Sequence, residues 1–156
     1  MIQFSEKTME RFKTTLAKYP ERQAALLPTL WMAQEEFGYL SLEVMEYVAK
    51  ILDLPPSKVY SVASFYTMFK KEPTGKYFIQ ICRTLSCQLA GAQEVSEHIC
   101  KKLGVGLGET TPDNKFSVLE VECLGSCGSA PMLQLNNDYH ENLTLKKIDD
   151  LLDNLK

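Results

Sequence analysis

Two pairs of cysteines constrain this chain more than any other feature. Cys123 and Cys127 stand four positions apart in Glu122-Cys123-Leu124-Gly125-Ser126-Cys127-Gly128-Ser129-Ala130-Pro131, just after an apolar run, Phe116 to Val121, that predicts a β-strand. Cys82 and Cys87 follow a second such run, Tyr77 to Ile81. Each predicted strand ends in one cysteine and carries another in the turn beyond. The chain holds five cysteines, an odd number. Its start, Met1-Ile2-Gln3-Phe4-Ser5-Glu6-Lys7, lacks the marks of a signal peptide and the Arg-rich, acid-poor character of a transit peptide. Metal binding or redox chemistry is therefore a better use of these thiols than a disulfide framework.

A length of 156 residues suits one domain or two small ones. The net charge of −3 argues against nucleic acid as the main partner. No apolar run approaches the roughly 20 residues of a membrane span. A cytoplasmic, bacterial-type protein is expected.

The first half reads as helical. Met9, Phe12 and Leu16 recur at helical spacing, with Ser5 as N-cap and Phe4 and Met9 placed as a hydrophobic staple. Tyr19-Pro20 ends this helix. A second helix is predicted over Arg22 to Phe37, kinked or split by Pro28 and closed by Gly38. A third is capped by Ser41 and stapled by Leu40 and Met45, with Val44, Tyr47, Val48, Ile51 and Leu52 as its apolar stripe. A fourth starts at Pro55-Pro56, with Val59, Val62, Ala63 and Tyr66 on one face. A DNA-reading helix-turn-helix is disfavoured, because Lys58 is the only basic residue between Leu54 and Phe69. A small helical bundle over 1–72 is the better reading. The aromatic run Phe65, Tyr66, Met68, Phe69 is either core or a docking surface. Lys70 to Gly75 is a linker.

The second half, 73–156, changes period. Strands are predicted over Lys76 to Cys82, Phe116 to Cys123 and Met132 to Asn136, with a short fourth near Tyr139 and His140 after an Asn137-Asp138 turn. A helix over Gln88 to Leu103 turns Leu89, Ala92, Val95, Ile99 and Leu103 inward, and an amphipathic helix runs from Leu143 to Leu155. The order is βαβ-ββα, so the chain is α+β: a helical bundle followed by an α/β domain. In a right-handed βαβ unit the two strands are parallel. Cys82 and Cys123 then lie on one edge of the sheet, and Cys87 and Cys127 turn back toward them.

Four thiolates so placed suit zinc or an iron–sulfur cluster. The four-residue gap between Cys82 and Cys87, and the absence of paired two-residue knuckles, favour iron–sulfur. Gly125 and Gly128 permit turns that aim backbone N–H groups at an anionic centre, and a helix starting near Gln88 would point its positive end there. No Cys-x-x-Cys is present, which disfavours a thioredoxin-type dithiol.

Cys82-x4-Cys87 followed by Glu120-Val121-Glu122-Cys123-Leu124-Gly125-Ser126-Cys127-Gly128-Ser129-Ala130-Pro131 resembles the thioredoxin-like 2Fe-2S subunit of respiratory complex I. Ala63 to Phe69 and Leu27 to Gly38 resemble the helical part of that subunit. The same family occurs in NAD(P)-linked hydrogenases and formate dehydrogenases. The resemblance implies a thioredoxin-like cluster domain in which Cys82, Cys87, Cys123 and Cys127 ligate one 2Fe-2S cluster. It implies NADH and FMN bound by a partner flavoprotein, a larger iron–sulfur subunit as neighbour, and single-electron exchange with the FMN. On this reading the chain has no substrate-binding or catalytic residues of its own, and sits peripherally on the inner membrane through its complex. The alternatives are the equivalent hydrogenase or formate dehydrogenase subunit, or a zinc-stabilised interaction module. An anionic cluster in an acidic protein predicts a low potential, near roughly −400 mV. Pro131 stands where thioredoxin folds keep a cis-proline.

The remaining chemistry-bearing residues read as structural. Cys100 lies mid-helix and reads as a buried thiol rather than a fifth ligand. His98 has Glu94 one turn back, and His140 has Glu141 beside it; both read as surface residues. Gly104, Gly106 and Gly108 follow a helix and precede a strand, the reverse of a phosphate loop.

Overall fold

The computed structural model describes residues 2–155. The chain divides into two compact units, Met1–Pro73 and Thr74–Lys156.

The first unit is helical: α1 (Glu6–Leu16), a 3₁₀ turn (Arg22–Ala25), α2 (Leu26–Phe37), α3 (Leu42–Leu52) and α4 (Pro56–Phe65). Ser5 and Ser41 cap α1 and α3, each hydroxyl accepting an N–H three residues on, from Thr8 and Val44. Pro28 lies in the first turn of α2, where its missing N–H costs nothing, and the stretch before it forms the separate 3₁₀ turn. Leu30, Leu40, Val48, Leu52 and Val59 are fully enclosed at the centre of this unit. Gln34 is buried and satisfied at both ends: its Nε2 donates to the Met68 carbonyl at 3.1 Å, and its Oε1 accepts the Lys70 N–H at 2.6 Å. These bonds stitch the run after α4 onto α2 and bring Phe69 against Trp31, ring centroids 5.7 Å apart.

The aromatic run therefore divides. Phe69 is core, 2% exposed, and Met68 packs beside it. Phe65 is 77% exposed and Tyr66 is partly so. Of the core and docking readings of the run, the core reading holds for Phe69, because the Gln34 bonds turn it inward and take it off any docking surface.

The second unit contains β1 (Tyr77–Cys82), α5 (Leu85–Leu89), α6 (Ala92–Leu103), β2 (Phe116–Val121), β3 (Leu133–Leu135), β4 (Asp138–His140) and α7 (Leu145–Asn154). The sheet order is β2-β1-β3-β4. β1 and β2 are parallel, in register from Tyr77 opposite Phe116 to Cys82 opposite Val121. β3 runs antiparallel to β1, and β4 to β3. Ile79, Ile81, Val118, Leu133 and Leu135 share one core with Val95 and Ile99 of α6 and with Ile148 and Leu152 of α7. Gly75 opens this unit: a Cβ there would lie 2.8 Å from the Phe116 backbone. Only glycine lets the incoming chain approach β2 so closely.

Three expectations need correction. The helix predicted over Gln88–Leu103 is two helices, α5 and α6, broken at Gly91, whose φ is +95°. Leu89 consequently belongs to α5 and is 81% exposed rather than inward. The hairpin turn is Asn136-Asn137, one residue earlier than expected, since Leu135 pairs directly with Asp138; Asn136 takes the left-handed conformation there, φ 52°. Strand β2 stops at Val121, so Cys123 lies two residues beyond its end.

Candidate metal centre

All five cysteines are free thiols. The parallel β1–β2 pair brings the carboxyl ends of both strands to one edge, where sites of open α/β sheets form. Cys82 is the last residue of β1. Cys87 sits one turn into α5 and is directed inward. Both are buried, packed with Ala92 and Met132 and against Leu124 and Ala130. Cys123 and Cys127 lie on the loop after β2 and are exposed. Cys127 begins a short 3₁₀ turn, Cys127–Ser129.

The thiols form two pairs. Cys82 and Cys87 share one small buried cluster. The Cys123 and Cys127 sulfurs are 3.8 Å apart. Two thiolates on one tetrahedral metal, each about 2.3 Å from it, stand about 3.8 Å apart, so this pair already has the spacing a shared metal requires. Thr84 links the pairs. Its Oγ1 is 3.3 Å from Cys82 Sγ, and its hydroxyl also helps lower the Cys123 thiol. The Cys127 sulfur lies near enough to help raise Cys87.

Backbone N–H groups converge on these sulfurs. Cys82 accepts from Thr84 and Leu124, Cys87 from Met132, and Cys123 from Gly125 at 3.4 Å. Burial pushes the Cys82 thiol up, but the bonds from Thr84, Leu124 and Cys87 outweigh it and hold Cys82 below its ordinary value. Cys123 is also lowered, first by the Gly125 N–H and then by Thr84 and Cys127. Cys87 has little to offset its burial, and its bond with Cys82 adds to the effect; it is pushed up to about 11.

Gly125 is in the left-handed region at φ +85°, and its N–H meets Cys123, as its spacing predicted. Gly128 instead sits inside the 3₁₀ turn. The donors supplied by Thr84, Leu124 and Met132 carry no sequence signal, because any residue but proline supplies an N–H. A further brace was also missed. Glu141 accepts hydrogen bonds from both Ser126 and Ser129, and Tyr139 Oη donates to the Leu124 carbonyl at 2.9 Å. β4 and the residue after it thereby hold the loop that carries Cys123 and Cys127. The Ala130–Pro131 peptide is cis, as expected for this fold.

Four thiols, with no histidine or carboxylate among them and with N–H groups aimed at the sulfurs, match the donor set of an iron–sulfur cluster. The matching family model is that of the thioredoxin-like 2Fe-2S ferredoxins, over residues 12–156. The chain belongs to this family. It is 45% identical over 156 residues to NADH dehydrogenase (ubiquinone) flavoprotein 2, mitochondrial, of Dictyostelium discoideum, covering 98% of this chain but 63% of that protein's length. It is 44% identical over 156 residues to NADH-quinone oxidoreductase subunit 2 of Thermus thermophilus, covering 98% of this chain and 86% of the relative. A subunit of the NADH-quinone oxidoreductase of Rhizobium meliloti is 42% identical over 147 residues, 94% of this chain and 88% of the relative. Among solved structures, an NAD+-reducing NiFe-hydrogenase in the air-oxidized state matches with a TM-score of 0.74 and 26% identity, over 88% of this chain and 24% of the hydrogenase chain. The H2-reduced form of such a hydrogenase matches with the same TM-score of 0.74 and 25% identity, over 84% of this chain and 22% of that chain.

The residues set aside as structural are placed as follows. Cys100 is only partly buried, against the core of the second unit, and its thiol is raised, chiefly by burial. His98 does not pair with Glu94. Its Nε2 is 2.9 Å from Asp149 Oδ1 on α7, and Lys102 reaches the same oxygen at 2.8 Å. Asp149 lies 51 residues along the chain, outside any local pattern. In the Gly104–Gly108 loop, the Gly106 N–H donates to Glu109, a local turn contact. Among the described residues, no helix is long and apolar enough to cross a membrane.

Proposed function

We propose that this chain is the 2Fe-2S electron-transfer subunit of an NADH:quinone oxidoreductase, exchanging single electrons with FMN on a partner flavoprotein. The observation that carries the reading is the placing of two thiol pairs, Cys82 with Cys87 and Cys123 with Cys127, on the segments that leave the carboxyl edge of the parallel strand pair. The family membership and the names of the relatives support it.

Cys82, Cys87, Cys123 and Cys127 would hold the cluster, which supplies one-electron transfer when bound. The protein contributes the surroundings. The N–H groups of Thr84, Leu124, Gly125 and Met132 stabilise negative charge on the sulfurs. The packing of Cys82 and Cys87 keeps water from one side of the centre. The exposure of Cys123 and Cys127 leaves the other side open to a redox partner. NADH and FMN are assigned to the flavoprotein, and a larger iron–sulfur subunit is the second neighbour. The complex would hold the chain on the cytoplasmic side of the inner membrane. The likeness to NAD+-reducing hydrogenases supports the equivalent hydrogenase subunit as the second reading.

The test is anaerobic purification of the chain with its natural partners. Absorption and electron paramagnetic resonance (EPR) spectra should show a binuclear iron–sulfur centre, with iron and acid-labile sulfide in equal amounts. The flavoprotein should co-purify. A colourless chain holding one zinc would end the electron-transfer reading. A nickel-containing partner would select the hydrogenase reading over the quinone one.

A further inference from the structure

Arg83 directly follows Cys82, and Glu122 directly precedes Cys123. Because Cys82 is in register with Val121, these two long side chains leave the same sheet edge side by side. The Arg83 N–H donates to the Val121 carbonyl at 3.0 Å, fixing the backbone from which the side chain departs. The guanidinium then meets Glu122 Oε1 through two nitrogens, Nη2 at 2.5 Å and Nε at 3.0 Å. This forked pair joins the two arms that carry the cysteines.

The charge pattern around the centre makes the pair unusual. Arg83 is the only Lys or Arg between Tyr77 and Cys100, and none lies between Phe116 and Leu145. The same two stretches carry Glu94, Glu97, Glu120, Glu122, Asp138 and Glu141. The segments that build the centre thus hold one fixed cation against six carboxylates and four thiols.

The geometry points to Arg83 as the counter-charge that sets the reduction potential of the four-cysteine centre, with Glu122 holding it in place and partly cancelling it. The inference rests on the iron–sulfur reading above. Reduction adds one negative charge to the centre. A nearby cation favours that electron and raises the potential, and a nearby carboxylate lowers it. Arg83 and Glu122 are the immediate chain neighbours of Cys82 and Cys123, so their charges are tied to the arms that carry two of the four thiols. The pair itself is more than half exposed, with side chains 54% and 67% accessible. It therefore contributes little to stability.

The experiment is redox titration of the full chain, followed by EPR at fixed ionic strength, for the parent and for Arg83→Gln, Glu122→Gln, the double variant and Arg83→Lys. Arg83→Gln should lower the midpoint potential and Glu122→Gln should raise it. The double variant should fall between the two, and Arg83→Lys should stay near the parent. All shifts should shrink as salt rises. A purely structural brace would instead make both single variants lose cluster faster, with no opposed shift in potential. Single variants that shift the same way, or not at all, while loaded with cluster would overturn the proposal. If Arg83→Gln fails to load, Glu122→Gln and Arg83→Lys carry the test: a Glu122→Gln potential at or below the parent's overturns it. A parent chain with no iron–sulfur signal overturns the reading beneath it, which is a separate result.

Discussion

The Glu141 carboxylate accepts the Ser129 hydroxyl at 2.6 Å, and the same oxygen accepts the hydroxyl of Ser126. One side chain just past β4 thus grips both ends of the turn that carries Cys127. The neighbouring backbone repeats the link, since the Asn142 N–H donates to the Ser129 carbonyl at 2.7 Å. Glu141→Ala should free the loop and speed loss of the cluster. A net hydrogen bond is worth on the order of 1 kcal/mol, which corresponds to a factor of about five in rate. Glu141→Gln keeps an acceptor oxygen and should restore most of the lifetime. The measurement is the decay of visible absorbance under a chelator. Equal lifetimes for Glu141→Ala and the parent would show that the brace is not used.

The proposed ligand roles should separate by substitution. Replacing Cys82, Cys87, Cys123 or Cys127 with Ala should abolish or badly weaken cluster binding. Cys100→Ala should keep the cluster and cost less than about 1 kcal/mol, because the thiol only borders the core. Iron content and thermal melting of the five variants check this. Loss of cluster in Cys100→Ala would overturn the ligand assignment.

In the cluster-free protein the thiols should not react alike. The thiolate is the nucleophile. Cys123 is exposed and its thiol is held below the ordinary value, first by the Gly125 N–H. Cys87 is buried and pushed up to about 11. At pH 8 a thiol titrating there is ionised in about one molecule in a thousand. Iodoacetamide at pH 8 should therefore modify Cys123 well before Cys87, as read by peptide mass spectrometry. The gap should narrow as pH rises toward 11, where Cys87 ionises. Modification of Cys87 first would contradict the thiol environments described.

Phe65 and Phe69 should give opposite results. Phe69→Ala empties a core site beside Trp31 and should cost about 3–5 kcal/mol. Phe65→Ala removes an exposed ring and should change stability by no more than about 0.5 kcal/mol. If the helical unit docks a flavoprotein, Phe65→Ala should still weaken that association about tenfold or more, as a buried aromatic anchor does. Circular dichroism melts and a pull-down titration separate the two effects. Unchanged association with Phe65→Ala would remove Phe65 from the docking surface.

Much of this protein is written locally. The serine caps, the proline that opens α4 and the apolar stripe of α3 act through neighbours within one turn, so sequence alone determines them. The two-strand periodicity and the need for a right-handed crossover were enough to bring Cys82 and Cys123 to one edge, since backbone geometry permits little else. Tertiary structure decided what depends on distant partners. Whether Phe65 or Phe69 turned inward depended on the bonds of Gln34 to Met68 and Lys70, 34 and 36 residues away, and composition is blind to that pairing. The partner of His98 lay on α7, beyond any helical spacing. Gly91 ended a helix that apolar periodicity would have carried through, because one left-handed residue outweighs a pattern of side chains. Around the cysteines, the residue types named the chemistry. The donors from Thr84, Leu124 and Met132, and the Glu141 brace, exist only once the chain has closed. A backbone N–H is common to nearly every residue, and only the fold determines where it points.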